Sequence, residues 1–444
     1  MAKTYYFIGI KGTGMGPLAQ ILHDQGHVVL GSDIETYTYT QAPLEAAGIE
    51  ILPFDAANVD AHQEAIFIRG NAFTDDHVEV ARALALGVDM MTYPDAVQDQ
   101  IAQTTSIAVA GAHGKTSTTG LLAHVLKNIA PTSYLIGDGT GRGVPNSQFF
   151  VVEADEYRRH FKDYAPDYAI LTNIDFDHPD YYHDINDVTA AFSDFAGNVK
   201  KAIFAWGDDP HLRSLQPAAD VYYYGTNVDR DDFVATNIRK STQGSHFEVL
   251  FRGESLGEFA VPLFGQHSIL NAVAVIAVAY MEKVDLNLIR EFLMTYQGVK
   301  RRFSEKQIAD ITVIDDYAHH PTEIDATLDA ARQKYPNKQI IAIFQPHTYS
   351  RVIAYKDEFA TSLEAADKVF LADIFGSARE KAGAVTSAEI GAEISKFGGI
   401  ITEDNMSLLM PFENAVMVFM GAGDIEKYEF AYEKLLGQLR TDLQ

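Results

Sequence analysis

In the segment IAVAGAHGKTSTTG (residues 107–120), a lysine and a hydroxyl, Lys115 and Thr116, follow two glycines that close an apolar run. That order of residue types suits phosphate chemistry. Glycines let backbone N–H groups approach phosphate oxygens, a helix starting at the lysine points its positive end at them, and the ammonium adds a point charge. The usual phosphate loop places its first glycine five residues before the second, a position held here by Val109, so with glycines at 111 and 114 the loop is a shortened variant formed by Gly111, Ala112, His113, Gly114, Lys115, Thr116 and Ser117. Thr116 offers a hydroxyl suited to magnesium. A glycine turn with an incidental lysine is the bland alternative, and it is disfavoured because apolar strand, loop and helix patterns come in the required order.

Carboxylates follow in VVEADEY, where Glu153, Asp155 and Glu156 end a second apolar run. Magnesium prefers hard oxygen ligands, and acids at a strand end in a nucleotide-binding domain commonly serve it. Glu153 is the leading candidate ligand, and His178, in TNIDFDHPD, is the second. A solitary histidine is more often a packing residue, but this one also follows a predicted strand of the same sheet. The stretch GIKGTGMG near the start has Gly9, Gly12, Gly14 and Gly16 out of step with the G-x-G-x-x-G fingerprint, and Pro17 stands where its third glycine would fall counting from Gly12. It can still cradle a pyrophosphate, and Asp33, ending VVLGSD, is placed to meet a ribose hydroxyl. On these residues alone, a nicotinamide dinucleotide and a nucleotide sugar both remain open. His319 and His320 beside Asp315 and Asp316 invite a metal reading, which is set aside because adjacent strand residues point to opposite faces.

The elements that must position these groups form three α/β blocks. Residues 4–100 alternate apolar runs (5–10, 27–31, 65–68) with helical stretches (17–25, 76–85), the pattern of a parallel sheet covered by helices. A second block starts at SIAVAG and runs through FFVVEAD, YAILTNID and KAIFAWG, followed by an alternating segment around Arg252-Gly253 that predicts a hairpin. ILNAVAVIAVAY predicts a buried helix from its length and alanine content. After the basic YQGVKRRF connector, a third block repeats the alternation with ITVIDDYA, IIAIFQPH, KVFLADI and AVMVFMGAGD. The expected domains are 1–103, 104–297 and 298–444. They are N-terminal Rossmann-like, central P-loop with a mostly parallel sheet and a small antiparallel part, and C-terminal Rossmann-like.

Length and composition agree with this division. At 444 residues and roughly 150 per domain, three domains are expected. A formal charge of -26, with 61 acids against 35 bases, argues against a nucleic-acid or anionic-membrane partner. Without cysteine there are no disulfides, thiolate metal sites or cysteine nucleophiles. No signal segment opens the chain and no membrane span is expected, so a cytoplasmic protein is anticipated.

Taken in order, GIKGTGMG and GSD, then GAHGKTSTTG, EADE, TNIDFDH and GQHSILNA, then GVKRRF, DDYAHHPTE, FQPHTYSR and GAGDI resemble the Mur ligases, the ATP-dependent amide ligases of peptidoglycan precursor synthesis. The resemblance covers essentially the whole chain. It implies a UDP-sugar site in the first domain, formed by Gly12, Thr13, Gly14, Met15, Gly16, Asp33 and Asn71, which decides against nicotinamide. It implies an ATPase in the second domain and an amino-acid site in the third, which closes over it. Lys115 and Thr116 match the family's phosphate and magnesium residues, Glu153 and His178 its metal ligands, and Asn271 its adenine contact. Arg302 matches the arginine that reaches the phosphates, Asp316 the acid on the ribose, and His347 and Arg351 the residues beside the amino acid and its carboxylate.

The activity implied is ligation of L-alanine to the lactyl carboxylate of UDP-N-acetylmuramate through an acyl phosphate, by a monomer or weak homodimer using ATP and Mg2+. Catalytic roles then fall to Lys115, Arg302, His347 and Arg351. Three positions depart from relatives: Ser193 lies where several carry a carbamylated lysine, Ser268 replaces an asparagine, and Thr348 replaces an arginine, so the carboxylate clamp leans on Arg351. Three rivals are a ligase adding a whole tripeptide to the same sugar nucleotide, a nucleotide-dependent regulator, and an NAD-dependent oxidoreductase.

Overall fold

The computed structural model describes residues 2–376, 383 and 385–441. Five parallel strands form the first sheet: β1 (Thr4–Ile8), β2 (Val28–Asp33), β3 (Glu50–Pro53), β4 (Ile66–Arg69) and β5 (Met90–Thr92), in the order β3-β2-β1-β4-β5. Strand order reverses between β1 and β4, and ligands of such sheets bind at the carboxyl ends of the strands flanking that reversal. The expected strand 5–10 stops early at Ile8, because Gly9 takes φ 85° and turns the chain. A Cβ there would fall 2.1 Å from the Phe73 ring, so the turn requires glycine for shape as well as conformation.

The second block contributes β6 (Thr105–Ala110), β7 (Thr132–Ile136), β8 (Thr140–Arg142), β9 (Phe149–Glu153), β10 (Tyr168–Leu171), β11 (Ala202–Trp206) and β12 (Asp220–Gly225). They are ordered β12-β11-β10-β6-β9-β7-β8, and only β8 pairs antiparallel. β6, β9 and β10 are almost wholly buried, which explains why they read as unbroken apolar runs rather than alternating ones. The helix Met15–Asp24 packs against β8, where Gly141 comes so close to Pro17 that a Cβ would lie 2.3 Å from its carbonyl oxygen.

The expected hairpin is present as β14 (Gly244–Phe251) and β15 (Glu254–Val261), antiparallel, with β13 (Phe233–Ser241) beside β14. The expected buried helix runs Gln266–Met281, and Ala272 to Ala279 are all inaccessible. The last sheet comprises β16 (Ser304–Ile308), β17 (Ile311–Asp316), β18 (Gln339–Phe344), β19 (Lys368–Leu371), β20 (Phe397–Ile400) and β21 (Ala415–Met420). Its order is β16-β17-β21-β18-β19-β20, with β16 antiparallel. Alternate residues of β18 feed opposite cores: Ile340, Ala342 and Phe344 one, Ile341 and Ile343 the other. Both faces are therefore covered by apolar layers, as parallel sheets require.

By contact density the chain divides into two compact units. One holds residues up to Ile174, Asn186–Phe233 and Ala274–Phe292; the other holds Asp175–Ile185, Val234–Val273 and the chain from Leu293 onward. No described helix is long and apolar enough to cross a membrane.

Candidate functional site

One rule places nearly every predicted site residue: they follow the carboxyl ends of parallel strands. In the first unit, β6 ends at Ala110 and the helix Lys115–Lys127 begins five residues later, leaving a tight four-residue loop between them. Asn173, just past β10, pins that loop, because its side-chain oxygen accepts from His113 N–H (2.9 Å), its amide donates to His113 O (2.9 Å) and its own carbonyl accepts from Ala112 N–H (3.1 Å). Thr172 Oγ1 also donates to His113 O at 2.6 Å. Gly111 has no room for a side chain, since a Cβ would sit 1.9 Å from Thr172 Oγ1. Thr172 and Asn173 were missed as functional residues. The available signal was a polar pair directly after the buried run YAIL.

Lys115 folds back over its own loop. Nζ donates to Gly111 O (2.5 Å) and Ala112 O (3.1 Å) and pairs with Glu156 (2.8 Å). Burial alone would lower its pKa, but the carboxylates of Glu156, Asp155 and Glu153 outweigh that and hold it above the ordinary lysine value. The lysine is thus firmly cationic, as a phosphate ligand must be.

Thr116 Oγ1 donates to Glu153 Oε1 at 2.9 Å, and Glu153 Oε2 accepts from Gly137 N–H at 2.7 Å. Two hard oxygens 2.9 Å apart match one edge of an octahedron with ~2.1 Å metal–oxygen bonds, so this hydroxyl–carboxylate pair fits magnesium. Ser117 lies in the first turn of the same helix.

The first sheet carries its predicted residues at the strand-order reversal. Gly12, Thr13, Gly14, Met15 and Gly16 lie in the turn after β1 and the start of the helix Met15–Asp24, and Asn71 is exposed just after β4. A Cβ on Gly14 would lie 2.6 Å from the Tyr93 hydroxyl, so this turn is also shaped by close approach. Asp33 is largely buried, and its oxygens accept from Lys11 N–H (2.6 Å) and Ile34 N–H (2.7 Å), closing the glycine turn.

In the second unit, the connector before β16 bends sharply. Arg301 and Phe303 both take positive φ (54°), a conformation costly outside glycine and one that concentrates at functional sites. Asp316, ending β17, holds the bend by accepting from Phe303 N–H (2.8 Å) and Ala318 N–H (2.8 Å). Burial pushes its carboxyl up to about 6, despite Arg302 nearby. Arg302 lies over the Tyr317 ring (5.3 Å) and pairs with Glu323 (3.3 Å). Asn271 is buried in the helix Gln266–Met281. Its neighbour His267 has its pKa lowered to about 4, chiefly by burial.

After β18, His347 stacks on Phe375 (5.9 Å), and the helix Tyr349–Leu363 brings Arg351 back to it. Arg351 Nη1 reaches His347 Nδ1 (3.2 Å) and O (3.3 Å), while Nε (3.1 Å) and Nη2 (2.6 Å) both donate to Asp177 Oδ1. Burial would depress the arginine's pKa, but Asp177 more than offsets it, and the guanidinium stays charged. Thr348 between them has φ 65°, a strained value for a β-branched residue. His178, next to Asp177, is likewise at positive φ (57°). Asp177 as a partner of Arg351 was not anticipated, since 174 residues separate them. The structure brings Lys115, Thr116 and Glu153 together in the first unit, and His347 and Arg351 in the second.

Family models describe the chain almost end to end: "Mur ligase family, catalytic domain" matches residues 4–105, "Mur ligase middle domain" 109–279, and "Mur ligase, glutamate ligase domain" 301–423. A UDP-N-acetylmuramate--L-alanine ligase of Leuconostoc citreum is 89% identical over 444 residues, covering 100% of both chains. One from Ligilactobacillus salivarius is 60% identical, covering 98% of each. Among solved structures, a UDP-N-acetylmuramate-alanine ligase from Thermotoga maritima superposes with a TM-score of 0.79 at 27% identity, covering 99% of each chain. A murein peptide ligase from Psychrobacter arcticus gives 0.70 at 25% identity, covering 98% of this chain and 99% of that one.

Proposed function

The chain belongs to the Mur ligase family, and from that premise we infer that it uses ATP to join L-alanine to UDP-N-acetylmuramate in peptidoglycan precursor synthesis. The observation that carries this reading is identity along the full length to alanine-adding ligases, without a gap in coverage at any of the three sheets. The division of labour follows the three segments 1–103, 104–297 and 298–444, for the sugar nucleotide, ATP and the amino acid respectively. Both substrates besides ATP are small molecules, and the reading puts catalysis in the cytoplasm, by a monomer or weak homodimer.

Joining a carboxylate to an amine is uphill in neutral water, because the carboxylate must give up its resonance-stabilised charge and the ammonium its proton. The lactyl carboxylate therefore takes the γ-phosphoryl group first, and the resulting acyl phosphate is attacked by the amine of alanine with loss of inorganic phosphate. In that first step two anions meet. Lys115 and Arg302 supply the positive charge that screens them. Thr116 and Glu153 would hold magnesium, with His178 as the ligand added by family resemblance. When bound, the ion neutralises charge developing on the phosphate oxygens. Asn271 serves the adenine and Asp316 the ribose. Arg351 anchors the alanine carboxylate, and His347 beside it receives or orients the ammonium proton. Holding three substrates in register supplies about 7–11 kcal/mol of barrier lowering in well-oriented cases.

An acceptor screen tests the reading: phosphate release with ATP, Mg2+, UDP-N-acetylmuramate and either L-alanine or a tripeptide. Turnover with L-alanine is expected, and turnover with the tripeptide alone would overturn it.

A further inference from the structure

We propose that Asp177 holds the place of the acceptor's carboxylate on Arg351, so that alanine binds by exchanging one carboxylate for another. This rests on the reading of Arg351 as the carboxylate anchor. The Nε and Nη2 groups form the edge of the guanidinium suited to two parallel hydrogen bonds with a carboxylate. Both point at Asp177 Oδ1 (3.1 and 2.6 Å), and Nη1 is directed at His347. The pair is deeply buried, with side-chain exposures of 5% and 6%.

A second carboxylate cannot simply be added. Asp177 and Asp180 already act on this cation, the further carboxylate Glu323 being paired with Arg302 (3.3 Å), and another anion would leave excess negative charge in a desolvated place. The backbone carrying Asp177 is tethered independently: the Tyr355 hydroxyl donates to Phe176 O, and Thr322 Oγ1 donates to Asp175 (3.3 Å). Exchange is therefore a side-chain rotation of Asp177 over a fixed loop. Asp177 acts through Arg351 and is a positioning residue, setting how strongly an amino acid must bind to enter. It also selects for acceptors that carry a free carboxylate, since a neutral group cannot compensate the arginine once the aspartate has left.

The test compares Asp177→Asn and Asp177→Ser with the wild type, alone and combined with Arg351→Ala, measuring KM and kcat for L-alanine and KM for ATP. If the exchange holds, both single variants lower the alanine KM, on the order of tenfold where Asp177 occupies the arginine about nine-tenths of the time. kcat and the ATP KM should not follow. The gain should disappear in the Arg351→Ala background, because no cation remains to be contested. An alanine KM unchanged or raised in both single variants, or a gain persisting without Arg351, overturns the exchange. If Arg351→Ala by itself leaves the alanine KM unchanged, the anchor reading fails instead, a different outcome from failure of the exchange.

Discussion

Lys115 in the first unit and Arg351 in the second both carry a protein carboxylate, but they are held by different means. Lys115 is caught within its own loop, by two carbonyls three and four residues away and by Glu156, 41 residues on, and its side chain is 14% exposed. Arg351 is caught from 174 residues away, by an aspartate as buried as itself. A lysine on a flexible four-carbon stem can leave Glu156 for a phosphate at small cost, whereas the planar arginine is fixed by partners on both sides. The glycine loop around Lys115 is thus a locally built device, and the setting of Arg351 is a product of tertiary packing.

Removing the two cations should separate these designs most sharply. Lys115→Ala should lower kcat for ligation by about 10²–10³ or more, the scale for loss of one electrostatic stabiliser, with UDP-sugar affinity nearly intact by calorimetry. Equal loss of both would contradict the division of labour. Arg351→Ala should instead act on alanine and on folding. Its KM for alanine rises, and leaving Asp177 buried without its cation costs about 3–5 kcal/mol in urea unfolding. An unchanged denaturation midpoint would mean that the pair is not buried as described.

A pH comparison probes the second unit alone. The Asp316 carboxyl is raised by burial from 3.8 to about 6, so its contribution is full below the unfolded value and is lost as pH climbs through the folded one. As pH rises from ~3 to ~8 the wild type should therefore lose of order 3 kcal/mol relative to Asp316→Asn. Parallel pH profiles of the two proteins would refute that. The smallest effect is expected in the glycine loop: Gly111→Ala forces a Cβ toward Thr172 and should cost about 1–3 kcal/mol, with partial recovery when Thr172 is also changed to alanine. No recovery would remove Thr172 as the obstacle.

The same contrast explains how much was legible beforehand. The phosphate loop, Thr116 and Glu153 announce themselves because strand, glycine, lysine and strand-end acid lie in a fixed order along the chain, and the parallel sheets follow from buried apolar runs alternating with helices. Ser32 to Asp33 and Ile314 to Asp316 were recognisable as strand ends, yet where their carboxylates bond was not. Asp33 turned to the backbone of Lys11, and Asp316 to the bend at Phe303. Such partners depend on which loops the sheet order brings together. Asn173 and Asp177 escaped for the same reason: no spacing rule links a residue after β10 to the loop after β6 or to the helix after β18.

The most direct measurement places oxygen-18 in the lactyl carboxylate of UDP-N-acetylmuramate and follows it through one turnover with ATP and L-alanine. Transfer of the γ-phosphoryl group to that carboxylate predicts one labelled oxygen in the released inorganic phosphate and the other in the amide carbonyl. Inorganic phosphate free of label would contradict the account.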